Sequence, residues 1–216
     1  GRMIEWNNSI LDRCLIYWHQ PPGSSPFGGL FAHNYVRAGT LAMVNCLPEA
    51  GWEVRDNLLD AAAVIQGTAP INASHNAFCN TVSLGGRQNI ALSICDFQSG
   101  PEGPFCYPAA GNQLARLRDA GSRTAPAAGL SHHTTAPDGR PEDWSQVDIG
   151  FHYPARKPDG SWPDADGDRI PDCLEDWNGN RLFEAGEGET DWQTSQHAIA
   201  SSASLEVFNR LDPPGR

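Results

Sequence analysis

Short apolar runs separated by turn-forming residues occupy residues 3–98. The runs are Met3–Trp6, Ile10–Trp18, Leu41–Leu47, Trp52–Ile65, Ile71–Phe78 and Asn89–Phe97. Stretches rich in Pro and Gly lie between them, and no run keeps a helical period over three turns. The pattern therefore predicts short β-strands and a mainly β fold, which the 22 Gly and 17 Pro of the chain also favour over a helix bundle.

An asparagine shortly before inward-facing apolar residues recurs irregularly in this region, at Asn8, Asn45, Asn57 and Asn76. Asparagine tolerates the left-handed conformation that the bend of each coil in a parallel β-helix requires. Residues 1–98 resemble the last coils of the right-handed parallel β-helices found in large secreted bacterial proteins. A short β-helix is the predicted fold, and an antiparallel β-sandwich with unrelated asparagines is the alternative.

Residues 99–158 are rich in Pro and Gly and show little periodicity. One short helix or turn is predicted at Asn112–Ala120. The stretch Val147–Pro154 resembles the "DIGxHY" segment that joins such β-helices to calcium repeats. We therefore expect an irregular strap that packs along the body and is pinned by Phe151, His152 and Tyr153.

Most of the net charge of −11 lies in one segment. Residues 159–191 contain 11 acidic and two basic residues, so this segment alone carries −9. An acidic tail would be poor in apolar residues. Here Ile170, Leu174, Trp177, Leu182 and Phe183 are interspersed among the acids, which predicts a segment folded around positive charge.

Two consecutive twelve-residue frames place side-chain oxygens at positions 1, 3, 5, 9 and 12 and a backbone carbonyl at position 7. The first frame is Asp164, Asp166, Asp168, Ile170, Asp172 and Glu175. The second is Asp176, Asn178, Asn180, Leu182, Glu184 and Glu187. Calcium takes six to eight hard oxygen ligands, and this spacing winds a short loop around one ion. The frames predict a site for about two Ca²⁺ ions with a structural role.

Residues 164–192 resemble thrombospondin type 3 and dockerin-like calcium repeats. The resemblance implies that Asp191 also reaches an ion. One departure concerns position 6, where an EF-hand loop has glycine. Arg169 and Arg181 stand there instead, with Gly167 and Gly179 two residues earlier, and a left-handed arginine costs about 1–2 kcal/mol.

The chain has six cysteines and no C-x-x-C motif, which favours disulfides in an oxidising compartment over a zinc site. Cys95 and Cys106 flank a Gly/Pro-rich loop and form the leading predicted pair. The remaining pairs would be Cys14 with Cys46 and Cys79 with Cys173. Buried free thiols are the alternative.

Several function classes are disfavoured by composition. An acidic chain is a poor partner for nucleic acid, and no apolar run is long enough to span a bilayer. No nucleophile elbow or clustered catalytic acids are recognisable, so an enzyme is not expected. His132 and His133 are expected to bond to strap backbone, and Trp6, Trp18 and Trp52 to lie in the core.

Together these features predict a non-enzymatic extracellular structural module, secreted or on the cell surface and stabilised by calcium. It is expected to be the C-terminal part of a large secreted protein, with the divisions 1–98, 99–158, 159–192 and 193–216. Its partners would be copies of itself or adjoining domains, joined head to tail into a fibre by donation of a strand at Ser204–Phe208. The alternative is a carbohydrate-binding or carbohydrate-cleaving β-helix whose partners are glycans.

Overall fold

The structure, a computed structural model, describes residues 2–19, 27–44, 51–67 and 71–195. Among these described residues, twelve short strands form the part up to residue 92, which we call the coil body. They are β1 (Arg2–Asn7), β2 (Ile10–Asp12), β3 (Leu15–His19), β4 (Phe27–Ala32), β5 (Tyr35–Arg37), β6 (Thr40–Val44), β7 (Trp52–Arg55), β8 (Leu58–Asp60), β9 (Ala63–Gln66), β10 (Ile71–Ser74), β11 (Ala77–Cys79) and β12 (Ile90–Leu92). Cys46 and Ser204–Phe208 lie outside the described residues.

The coil body consists of three parallel sheets. Their strand orders are β1-β4-β7-β10, β2-β5-β8-β11-β12 and β3-β6-β9. Each strand pairs with the one that occupies the same place in the next coil, as in the pairing of Trp6 with Phe31 and of Phe31 with Val54. The described residues are therefore mainly β with parallel sheets, compatible with a parallel β-helix-like fold. The parallel pairing rules out the antiparallel sandwich for these strands.

Two columns of left-handed residues separate the three sheets. The first column is Asn8, His33, Asp56, His75 and Gln88, and the second is Arg13, Ala38, Ala61 and Asn80. These residues split the apolar runs that the sequence suggested as single strands. The run Ile10–Trp18 becomes β2 and β3 around Arg13, and Trp52–Ile65 becomes β7, β8 and β9.

A ladder of asparagines follows the first column. Asn34, Asn57, Asn76 and Asn89 stack on one another. In each step a backbone N–H donates to the side-chain oxygen of the next asparagine, at 2.9–3.1 Å. Of the recurring asparagines, Asn8 has the expected left-handed conformation. Asn57 and Asn76 are members of the ladder instead, because Asp56 and His75 just before them take the left-handed conformation. Asn45 lies outside the described residues.

The interior of the coil body is apolar and closely packed. Its fully buried members include Phe31, Val36, Leu41, Val54 and Leu59. Trp18 and Trp52 stack there at 4.4 Å between ring centroids, whereas Trp6 is 39% exposed, against expectation. Gly29 lies under Trp52, where a Cβ atom would come within 1.9 Å of the indole ring. The small side chain of Gly29 therefore leaves room for Trp52 on the neighbouring strand.

Residues 93–158 cover the outer face of the second sheet. They contain β13 (Gln98–Gly100), β14 (Gly103–Cys106), a 3-10 helix (Leu114–Leu117), α1 (Ala125–Ala128), β15 (His133–Thr134) and β16 (Tyr153–Pro154). Leu58 of β8 packs outward against Tyr107, Leu114 and Ile149, all of them buried. The predicted helix at Asn112–Ala120 is thus one 3-10 turn. The inner strands of the second sheet, β5, β8 and β11, are covered on both faces, which explains their consecutive apolar residues.

Long-range hydrogen bonds hold this strap, residues 99–158, on the coil body. Asn8 donates to the carbonyl of His152 and accepts from its N–H, at 3.0 and 2.8 Å. Ser122 donates through both N–H and Oγ to the buried carboxylate of Asp56, at 2.7 and 2.6 Å. Gly150 N–H donates to the carbonyl of Asp56 at 2.9 Å. His152 thus anchors the strap, through its backbone.

The remaining described residues contain only short helical turns. These are α2 (Asp172–Glu175) and a 3-10 turn (Ala185–Glu187). None of the helices in the described part of the chain has the length and hydrophobicity of a membrane-spanning segment.

The five described cysteines, Cys14, Cys79, Cys95, Cys106 and Cys173, are free thiols. The expected Cys95–Cys106 and Cys79–Cys173 bonds are therefore not formed. The Cys106 side chain lies on β14 near Gly100 and Pro137. Cys95, in the segment between β12 and the strap, instead lies beside Cys79 of β11.

Candidate metal centre

The two acidic frames fold into two loops with the same internal hydrogen bonds. Asp164 and Asp176, both at position 1, accept from the N–H of Arg169 and Arg181 at 3.1 and 2.7 Å. The oxygens at positions 3 and 5 each accept from the N–H two residues later, in both loops. The first loop (164–175) and the second loop (176–187) are therefore a structural repeat as well as a sequence repeat.

The first loop concentrates carboxylates around one point. Oxygens of Asp164, Asp166 and Asp168 lie within 4.8 Å of one another. The turn of α2 returns Glu175 to the same side, and Asp168 and Glu175 are only 3% and 1% exposed. Burial, and then the charges of the neighbouring Asp168, Asp166 and Asp172, raise the pKa of Glu175 to about 7. Carboxylates so close together repel unless a cation lies among them.

Two carboxylate oxygens of the first loop lack a donor. Within the described part of the chain, the buried atoms Asp166 Oδ2 and Glu175 Oε2 have no hydrogen-bond partner. Buried polar atoms are nearly always satisfied, so such oxygens indicate an absent ligand. A set of hard oxygen donors suits a divalent hard cation. The residues of the first loop therefore fit a metal ion.

The second loop is less acidic and more internally bonded. Asn178 and Asn180 each donate through Nδ2 to Glu184 Oε2 at 2.9 Å. Glu187, the expected position-12 ligand, is exposed. Glu189 is buried in its place: Oε2 accepts from Glu184 N–H at 3.1 Å, and Oε1 has no partner among the described residues. The turn Ala185–Glu187 lengthens the second loop by two residues, so the buried carboxylate is that of Glu189 and not of Glu187. A fixed spacing of twelve residues does not predict this.

Other expected ligand positions lie at the edges of the loops. Asp172 is buried and accepts from Ala165 N–H at 2.7 Å. Asp191 is partly buried and accepts from Gln193 N–H at 3.1 Å. Ile170 is partly buried and Leu182 is exposed, as suits positions that would contribute a carbonyl oxygen.

Both arginines at position 6 have the left-handed backbone expected there, with φ values of 79° for Arg169 and 62° for Arg181. Their side chains differ in what they contact. Arg169 is exposed. The Arg181 guanidinium lies 2.5 Å from Asp143 Oδ1 and packs 5.6 and 5.2 Å from the ring centroids of Trp144 and Trp192. Those contacts offset the backbone strain at Arg181.

Substituting these two arginines by glycine is expected to change stability in opposite directions. Arg169→Gly relieves the left-handed strain and should raise the free energy of unfolding by about 1 kcal/mol. Arg181→Gly also loses the ion pair and two cation–π contacts, and should lower it by about 1–2 kcal/mol. Urea unfolding of the two variants measures the difference, and equal shifts would contradict the role assigned to the Arg181 contacts.

The second loop docks on the strap. His132 Nε2 lies 2.8 Å from Asp176 Oδ2, and both side chains are buried. Ser131 Oγ donates to the carbonyl of Gly179 at 2.6 Å. Burial opposes ionisation of Asp176, but the hydrogen bonds from His132 and from backbone N–H groups outweigh it and lower the pKa of Asp176. His132 therefore bonds to a carboxylate, not to backbone as expected, and links the strap to a candidate ligand.

A second carboxylate cluster, which the sequence did not reveal, lies in the strap. Oxygens of Asp119, Glu142 and Asp148 lie within 4.8 Å of one another beside a cavity of about 410 Å³. Asp148 accepts from Asp119 N–H and from Thr135 Oγ1. Burial and then the charge of Glu142 raise the pKa of Asp148 to about 7.

A buried histidine adjoins this cluster. Burial opposes protonation of His152, yet Glu142, 3.4 Å from Nε2, and Asp148 raise the pKa of His152 overall. The two neighbouring acids thus favour the protonated form of His152. Asp148 and His152 belong to the "DIGxHY" segment, and the arrangement explains their presence as an ion network that fastens the strap.

Comparisons with protein-family models, with curated proteins and with solved structures find no match to this chain. The functional argument therefore rests on the two loops and their attachment to the strap.

Proposed function

We propose that the chain is a non-enzymatic extracellular structural module whose acidic loops bind two Ca²⁺ ions. The observation that carries the proposal is the repeated loop geometry, with buried carboxylate oxygens that lack donors in each loop. In the first loop the ligands are Asp164, Asp166, Asp168 and Glu175, with the Ile170 carbonyl. In the second they are Asp176, Asn178, Asn180, Glu184 and Glu189, with the Leu182 carbonyl.

The donor set favours calcium over other metals. Every candidate ligand is an oxygen, whereas zinc and copper prefer nitrogen and sulfur. A winding loop with six or more oxygens suits calcium better than magnesium, which keeps several waters. Calcium modules outside the cell bind with dissociation constants of about 10⁻⁴–10⁻³ M, so these loops would be filled there and empty in the cytosol.

The role of the ions is to fasten the strap to the coil body, which we interpret as a short right-handed parallel β-helix. The second loop binds the strap through Asp176 and His132, and the strap binds the coil body through Asn8 and Asp56. An ion that binds only the folded loops stabilises everything that depends on them. A structural role also accounts for the buried acids of the loops, such as Glu175 and Glu189, which are directed inward.

Calorimetric titration of the chelator-treated chain with CaCl₂ tests the proposal. Two sites per chain are expected, together with a higher melting temperature in millimolar calcium. Glu175→Gln should weaken the first site and Glu189→Gln the second, each by about tenfold. Glu187→Gln is the matched control and should leave both sites unchanged, because Glu187 is exposed. Absence of binding in the unmodified chain would overturn the proposal.

An assembly role is favoured by one further observation. In all three sheets the strand of the first coil, β1, β2 or β3, lies at an edge. Exposed apolar side chains accompany that edge, among them Leu15 and Tyr17, at 66% and 54% exposure. We infer that this edge stacks on another coil, of an adjoining domain or of a second copy. Light scattering on the titrated samples should show calcium-dependent oligomers if copies stack on each other. If the chain is a monomer, a second copy is excluded and an adjoining domain is the partner of this edge.

A further inference from the structure

Cys79 and Cys95 meet where the strap closes the end of the coil body. Their sulfur atoms and a carboxylate oxygen of Asp60 lie within 4.8 Å of one another. Cys79 is fully buried and Cys95 partly buried in one apolar cluster that also contains Leu58, Leu92 and Tyr107. A disulfide requires the two sulfurs to approach to about 2 Å, which from this separation is a movement of less than about 3 Å.

The surroundings favour a neutral link over two thiolates. Burial raises the pKa of both thiols, and the nearby Asp60 carboxylate raises them further. Tyr35 Oη donates to Asp60 Oδ2 at 3.3 Å, so this hydroxyl already has a partner. A metal ion would require both thiols to ionise in this environment, whereas a disulfide removes both ionisable groups.

We propose that Cys79 and Cys95 form a disulfide that fixes the segment between β12 and the strap to β11 of the last coil. The reaction is exchange with a small-molecule or protein disulfide. Each cysteine loses its sulfur-bound proton, a new sulfur–sulfur bond joins Cys79 Sγ to Cys95 Sγ, and the two electrons reduce the oxidant to two thiols. The bond closes the segment 79–95, which contains the turn between β11 and β12, and so limits the freedom of the unfolded chain.

Peptide mapping of the intact chain tests this pairing. The chain is incubated with oxidised glutathione, its free thiols are alkylated, and it is then digested with trypsin and an endoproteinase that cleaves before aspartate. Cleavage after Arg55, Arg87 and Arg116 and before Asp60 and Asp96 separates the cysteines. Cys79 lies in fragment 60–87, Cys95 in 88–95 and Cys106 in 96–116. The expected product is 60–87 linked to 88–95, and its loss on reduction confirms the bond.

Thermal unfolding provides the second readout. Reduction of the oxidised chain should lower its melting temperature by about 5–10 °C. Cys95→Ser should abolish that difference, whereas Cys173→Ser, at a partly buried cysteine of α2, should retain it. Alkylation of both Cys79 and Cys95 after oxidation, a linked product containing 96–116, or zinc bound to the unoxidised pair would each overturn the proposal.

Discussion

Asn57→Ala is expected to lower the free energy of unfolding by about 3–5 kcal/mol. Asn57 is fully buried in the asparagine ladder. Its Nδ2 donates to the carbonyls of Phe31 and Arg55, both at 2.8 Å, and its Oδ1 accepts from Asn34 N–H at 3.0 Å. Alanine removes all three bonds and leaves buried partners unsatisfied, at about 1–3 kcal/mol for each such group.

Urea unfolding followed by circular dichroism measures this loss. Asn72→Ala is the control, because Asn72 lies on β10 with an exposed side chain and should change stability by less than about 0.5 kcal/mol. Similar midpoints for the two variants would show that the ladder does not stabilise the coil body.

Asp56→Ala is expected to lower the free energy of unfolding by about 3–5 kcal/mol and to release the strap. The buried Asp56 carboxylate lies 2.9 Å from Arg55 Nη1 and accepts two hydrogen bonds from Ser122. Removing it leaves the Arg55 charge, which is 5% exposed, without its closest anion. Alanine also fits the left-handed backbone at this position, φ 57°, less well than aspartate does.

Asp56→Asn separates the two causes, because asparagine keeps the left-handed preference and the shape but not the charge. We expect a smaller loss than for alanine. Hydrogen exchange should locate the effect at residues 119–123 in both variants. If protection of this segment is unchanged in Asp56→Ala while the coil body is destabilised, the Asp56–Ser122 contact does not hold the strap.

The sequence pattern predicts the β content and two members of the asparagine ladder, but not the complete ladder. The coils differ in length: Arg2 pairs with Phe27, whereas Ala77 pairs with Ile90. A fixed period therefore cannot locate Asn34 or Asn89. The positions of the left-handed residues could not be predicted either, because the two columns include Ala38 and Ala61, and alanine does not favour that conformation.

The acidic loops are the part of the site that local spacing predicts best. Their internal hydrogen bonds join residues two to seven positions apart, so local sequence spacing is sufficient to predict the loops. Glu189 was missed because the second loop is lengthened by the turn at Ala185–Glu187. The partners His132 and Asp176 are 44 residues apart, and only packing of the strap brings them together.

The bonds between Asn8 and His152 join residues 144 positions apart. A ribosome that adds about 5–20 residues per second needs about 7–30 s to deliver the second partner after the first. During that interval a nascent chain has strands able to pair but no strap to fasten the first coil. Exposed strand edges in such a state pair readily with other chains, so production of this protein should depend on chaperones that shield the early coils until the strap has emerged.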